Sequence, residues 1–158
     1  IFYGRIEDKF GPVICDKFGE YSSEIIGQKI TSDDVEAIAD AIECFIRQGA
    51  EIVVCTGGMS VDPDDTTPTA IRKTGAEIIA YGAPVLPGAM FLLAYKDKIP
   101  VLGLPGCVMY AKRTIFDLIL PKIMADEPIT AQDLSSLGHG GLCLNCEVCH
   151  YPNCGFGK

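Results

Sequence analysis

The residues best placed to do chemistry form an acidic loop beside a glycine turn: Thr56-Gly57-Gly58-Met59-Ser60, then Asp62-Pro63-Asp64-Asp65. Carboxylates set this closely repel one another and any phosphate. They make sense around a hard divalent cation, which takes carboxylate and phosphate oxygens together. Asp64 and Asp65 are the candidate Mg²⁺ ligands. The glycines let the backbone come close to a ligand and aim N–H groups at it, which suits phosphate. Thr56, Gly57, Gly58 and Ser60 are therefore candidate ligand-binding residues, Ser60 through its hydroxyl. A second turn, Gly103-Leu104-Pro105-Gly106, offers Gly103, Pro105 and Gly106 for the same purpose, with a helix N-terminus beyond. A further acidic pair, Asp33-Asp34, could point into the same cleft. The simpler use of these side chains is capping: Ser32 or Asp33 ahead of one helix, Asp64 or Asp65 ahead of the next.

A separate chemistry sits at the end of the chain. Cys143, Cys146, Cys149 and Cys154 fall in the run C-x2-C-x2-C-x4-C. Such thiolates can close a Zn²⁺ site or hold an iron–sulfur cluster. The spacing is one residue longer before the last Cys than the bacterial ferredoxin run, and zinc more often takes two separated pairs. A disulfide pair or an unstructured tail is the plainer alternative, and His150 could replace one thiolate. The other cysteines, Cys15, Cys44, Cys55 and Cys107, are scattered among apolar neighbours. That division indicates a reducing, cytoplasmic compartment.

These groups need a scaffold. Phe10, Val13, Ile14, Phe18 and Tyr21 recur at helical spacing, and Glu24–Ile30 reads as a short strand. Val35, Ile38, Ala39, Ile42, Phe45 and Ile46 form a clear helical stripe closed by Gly49. Glu51–Thr56 is a run of β-formers without alternation, as in a strand buried on both faces. Residues 59–67 read as a polar loop, and Pro68 opens a helix ending near Gly75. Ala76–Tyr81, Met90–Tyr95 and Pro100–Leu104 read as strands, with one helix over Cys107–Ala125 and a short one within 129–137. Strands alternating with helices predict an α/β fold, a three-layer sandwich with a mostly parallel sheet. Residues 1–125 form its body; residues 126–158 are a tail with a short helix and the cysteine run.

Composition narrows the possibilities. The 158 residues are 48% hydrophobic and 22% charged, which describes an ordinary globular domain rather than a disordered chain. No apolar run approaches the roughly 18 residues of a membrane helix. Thirteen basic against 21 acidic residues give a formal charge of −8 without a basic stripe, so neither nucleic acid nor a membrane surface is an expected partner. The chain opens at Ile1 and reads as a segment cut from a longer one.

The order of motifs resembles the molybdenum-cofactor biosynthesis domain family, which includes molybdopterin adenylyltransferases, molybdopterin molybdotransferases and gephyrin. The resemblance covers roughly residues 3–124. It rests on Gly4-Arg5-Ile6-Glu7-Asp8, Thr31-Ser32-Asp33-Asp34, Thr56-Gly57-Gly58-Met59-Ser60 with Asp65, and Gly103-Leu104-Pro105-Gly106, in register. It implies a molybdopterin-binding α/β/α fold whose first strand lies upstream of Ile1, and a homo-oligomer. It implies a pterin or nucleotide as small-molecule partner, with Mg²⁺ and ATP or an AMP moiety as cofactors. It puts Asp65 and Asp33 on the family's acidic catalytic positions, for adenylylation of the pterin phosphate or for molybdate insertion. The chain departs from the molybdotransferase pattern at Leu86-Pro87-Gly88-Ala89, which has no flanking lysine. The alternative is therefore a catalytically idle pterin- or nucleotide-binding module that serves a molybdoenzyme as sensor, carrier or chaperone.

Overall fold

The structure is a computed structural model and describes residues 1–2, 7–59 and 65–158. Its elements in chain order are α1 (Phe10–Gly19), α2 (Val35–Arg47), β1 (Val53–Thr56), α3 (Thr67–Lys73), β2 (Glu77–Tyr81), β3 (Leu92–Lys96), β4 (Ile99–Leu104), a 3-10 turn (Gly106–Met109), α4 (Ile115–Met124) and α5 (Ala131–Ser136).

Side-chain alternation along the central strands builds two cores. Leu93, Leu102 and Leu104 face α1, α4 and α5, packing with Phe18, Phe116, Ile119 and Leu134. Their neighbours Leu92, Ala94, Val101 and Val53 face α2 and α3, packing with Ile38, Ile42, Ala70 and Ile71. Helices therefore cover both faces of the sheet, and the expected three-layer α/β/α sandwich is the observed one. A strand buried on both sides has no polar face, which is why its sequence does not alternate.

The sheet order is β1-β4-β3-β2. Among the described strands only β1 and β4 pair in parallel; β3 runs antiparallel to both β4 and β2. The sheet is thus mixed, not mostly parallel. The reason is local: two residues, Asp97 and Lys98, join β3 to β4, and Asp97 takes φ +57°. A connection that short permits only a hairpin. In β2, Ile79 is the extra residue of a bulge between the Ile78↔Ala94 and Ala80↔Leu93 pairs.

Two further expectations are corrected. Residues 24–30 form no strand among the described residues, and Ile25, Ile26 and Ile30 are exposed. β-forming side chains do not make a strand unless a neighbour is there to pair with. The helix expected over Cys107–Ala125 is split. The Thr114 hydroxyl accepts from Phe116 N at 3.2 Å, and Asp117 Oδ2 accepts from Thr114 N at 2.7 Å. This reciprocal cap starts α4 afresh, and Thr-x-x-Asp is its sequence signature.

Candidate functional site

The parallel pairing of β1 with β4 sets Thr56 opposite Leu104, so the two glycine turns leave the sheet side by side at one edge. β2 runs in the same direction as both, because it and β4 are each antiparallel to β3. The carboxyl ends of these strands therefore share an edge, the usual place for a ligand in an open α/β sheet.

Thr56 and Gly57 are exposed there. Gly57 has φ +81° and Gly58 φ +56°, a conformation most side chains avoid. The Thr67 hydroxyl donates to Gly57 O at 2.8 Å and so ties the turn to the first residue of α3. In the second turn only Gly106 is exposed, with open space where a Cβ would stand. Gly103 and Pro105 are buried. A Cβ on Gly103 would lie 2.6 Å from Met59 Cε, so this glycine makes room for the methionine that follows the first turn.

Of the acidic residues, Asp65 is half-buried next to the start of α3. Partial burial, then the Asp65 charge, raises the pKa of Tyr81, the last residue of β2. The neighbouring Thr66 hydroxyl oxygen is buried and has no hydrogen-bond partner among the described residues. Asp34, rather than the expected Ser32 or Asp33, caps α2, accepting from Ala37 N at 2.8 Å. Asp33 is exposed one residue earlier. Glu36 in the first turn of α2 is ion-paired with Lys73 at the end of α3. Seven residues of α3 span about 10 Å. The ion pair thus holds the Asp33 end of α2 against the opposite end of α3 from Asp65. Ser60 and Asp64 lie outside the described residues, as do Gly4, Arg5 and Ile6 of the first motif.

Sequence reasoning missed a polar centre beneath this edge. Asp117 is 6% exposed and its Oδ1 accepts from Lys17 Nζ at 2.6 Å and Arg113 Nη1 at 2.8 Å. Lys17 is itself buried. Burial works against the Arg113 cation, but Asp117 and Glu20 outweigh it and raise its pKa. Lys17, Glu20, Lys112 and Arg113 line a cavity of about 250 Å³ between α1 and residues 108–113. The Thr114-x-x-Asp117 cap was the available signal.

The tail is packed rather than loose. Phe156 is 4% exposed within the first core, and Gly157 N donates to Gly140 O at 2.9 Å. Its start pairs with the segment before Pro87, through Leu86 N to Gly141 O and Cys143 N to Leu86 O, both 2.8 Å. Among the described residues no three Cys, His, Asp or Glu side chains converge as ligands of a single ion, and no helix is long and apolar enough to cross a membrane.

Comparison with known proteins identifies the body. Residues 1–125 match the family described as "Probable molybdopterin binding domain". Over 124 residues the chain is 25% identical to a molybdopterin molybdenumtransferase of Synechococcus elongatus, covering 77% of this chain and 31% of that protein. It is 28% identical over 79 residues to a molybdopterin adenylyltransferase of Pyrococcus furiosus, covering 50% of this chain and 46% of that one. The chain thus spans less than half the length of either relative. Among solved structures, a molybdopterin biosynthesis MoeA protein from Pyrococcus horikosii aligns with a TM-score of 0.62 at 28% identity, over 78% of this chain and 30% of that chain. A molybdopterin biosynthesis enzyme MoaB from Thermus thermophilus aligns at 0.59 and 17% identity, over 80% and 91%, which speaks for the fold alone. With most of its length matched in register to the family's model, the chain belongs to the molybdopterin-binding domain family of molybdenum-cofactor biosynthesis.

Proposed function

We propose that this chain binds the phosphate end of molybdopterin at the Thr56–Gly58 turn and Gly106, and that Asp65 handles the phosphate there together with Mg²⁺ and a nucleotide. The observation that carries this reading is the Thr56↔Leu104 pairing, which sets two exposed glycine turns beside each other. Their N–H groups are donors for a phosphate, and phosphoryl transfer depends mainly on positioning and charge neutralisation.

The residues fit a hard cation. Asp65 supplies a carboxylate, and the adjacent Thr66 Oγ1 is a buried oxygen without a partner among the described residues. Asp64 would complete the oxygen set. Mg²⁺, when bound, would offset the charge of the phosphates. In adenylylation a pterin phosphate oxygen attacks the α-phosphorus of ATP, and pyrophosphate leaves with the bonding pair. Asp65 keeps the reacting phosphates in place, and Thr67 keeps the Gly57 carbonyl turned away from them. A role for Asp33 in this reading would come from the start of α2, at the far end of α3 from Asp65. The eight free cysteines agree with a reducing, cytoplasmic setting. A homo-oligomeric state follows the family resemblance. The four tail cysteines form a separate candidate centre for a soft metal, Zn²⁺ or iron–sulfur.

One observation favours a second reading, an idle pterin- or nucleotide-binding module that hands cofactor to a molybdoenzyme. The 86–89 segment, which lacks lysine, is occupied by structural contacts: Pro87 O accepts from Ile115 N at 3.1 Å, and a Cβ on Gly88 would lie 2.4 Å from Ile115 Cγ2. The segment itself carries no cation for molybdate.

Anaerobic incubation with molybdopterin and ATP·Mg²⁺, assayed for adenylylated pterin, separates the two. Product from the parent chain and none from Asp65→Asn supports the enzyme. Pterin retention without product supports the module. Neither retention nor product overturns both.

A further inference from the structure

The cysteine tail presents more than a spacing pattern. Cys143, Cys146, Cys149 and Cys154 all line one cavity of about 210 Å³, together with His150, Lys112 and Arg113. Two of the thiols are rooted. Cys143 and Cys154 are half-buried and pack against the first core. The other two, Cys146 and Cys149, are exposed on the segment that closes over the cavity. That segment is pinned by a cation: Lys112 Nζ donates to Cys146 O at 3.1 Å and to Glu147 O at 2.7 Å. Arg113 also lies 4.9 Å above the Tyr151 ring.

Soft-metal centres differ in the space they fill. A single Zn²⁺ draws its ligands to a shared point at about 2.3 Å from each sulfur. Here all four cysteines line one cavity of about 210 Å³. A polynuclear cluster fills such a space, with one cysteine at each iron-bearing corner. The first three cysteines keep the spacing of the bacterial ferredoxin run, and the fourth, one residue further on, is brought to the same cavity by its packing against the core. Charge agrees as well. A cluster held by four thiolates is anionic, and in a chain of formal charge −8 the cavity is lined by two cations and no carboxylate.

We infer that Cys143, Cys146, Cys149 and Cys154 hold one iron–sulfur cluster of the four-iron class, with Lys112 and Arg113 offsetting its charge. Ligation replaces each S–H by an Fe–S bond and releases the proton to solvent. The inference deepens the soft-metal reading of the tail and is independent of the pterin reading.

The test uses the chain purified without oxygen, incubated with ferrous iron and sulfide, then desalted. Iron, acid-labile sulfide and zinc are measured, with visible absorption before and after dithionite. The expected result is about four irons and four sulfides per chain, with a visible band that bleaches on reduction. Cys146→Ser and Cys149→Ser, both at exposed positions that leave the core intact, should lose most of the iron. Cys44→Ser should keep it. Iron retained equally by the two tail variants would overturn the assignment. One zinc per chain with no iron uptake would overturn the cluster but leave a soft-metal tail. Retention of neither metal would overturn both.

Discussion

The Tyr151 hydroxyl donates to the backbone carbonyl of Asp117 at 3.0 Å, and that carbonyl is the one Pro121 leaves without a helical donor. A proline inside a helix removes the N–H that would bond four residues back. The tail supplies the missing donor, and this gives it a structural hold on α4 that does not depend on any metal. Tyr151→Phe should lower stability by about 1 kcal/mol, the usual net value of one hydrogen bond. Phe156→Ala, which empties a buried site in the first core, should cost about 3–5 kcal/mol. Urea unfolding of the two variants measures both, and equal effects would show the tyrosine contact to be more than one bond.

The Lys17–Asp117–Arg113 centre should be far less tolerant. Removing one member of a buried ion pair leaves the others uncompensated, at a cost of about 3–5 kcal/mol. Asp117→Ala should fall in that range by chemical denaturation, because it strands the buried Lys17 and also opens the α4 cap. A loss below about 1 kcal/mol would mean the pair is solvated after all.

Three glycines at the sheet edge allow strain to be separated from ligand contact. Gly57→Ala keeps open space but forces a positive φ, at roughly 1–2 kcal/mol. Gly58→Ala adds a clash, since its Cβ would stand 2.8 Å from Thr67 Oγ1, and should be the more destabilising. Gly106→Ala carries neither burden and should leave the melting temperature unchanged. A drop in pterin retention by Gly106→Ala would then report proximity to the ligand, and unchanged retention would remove Gly106 from the site.

Alkaline pH should weaken the fold at Tyr21. Partial burial, then Glu20 and Asp117, raises its pKa, with Arg113 opposing. A group with a raised folded pKa contributes its full stabilisation below the unfolded value of about 10 and loses it as pH climbs through the folded one. Stability should therefore fall above about pH 10, and Tyr21→Phe should flatten that part of the profile. A profile unchanged by the substitution would assign the alkaline loss elsewhere.

Thiol reactivity should rank by environment. Burial pushes the Cys55 thiol up to about 12, whereas Cys15 is exposed. Since the thiolate is the nucleophile, iodoacetamide at neutral pH should label Cys15 well before Cys55. Mass spectrometry of a labelling time course reads this directly, and early labelling of Cys55 would show that β1 opens readily.

Much of the body was legible because its signals are local. The 3.6-residue stripe of Val35–Ile46 and the unbroken β run at Glu51–Thr56 each follow from adjacent side chains, and the structure has a helix over Val35–Arg47 and a strand over Val53–Thr56. The Thr114-x-x-Asp117 cap was equally local and was overlooked, which is why α4 starts later than expected.

The amino-acid sequence alone determined the α/β class, the family motifs and the four-cysteine tail, because each is a matter of residue type at short spacing. Only the tertiary structure decided the rest. Which strands pair, and in which direction, depends on long-range partners: it left residues 24–30 outside the described sheet, made the sheet mixed and set Thr56 against Leu104. The same packing buried Gly103 under Met59, joined Lys17 to Asp117 across 100 residues of chain and gathered the tail's four thiols around one cavity. Periodicity reports which face of an element is apolar; it carries no record of what that face will meet.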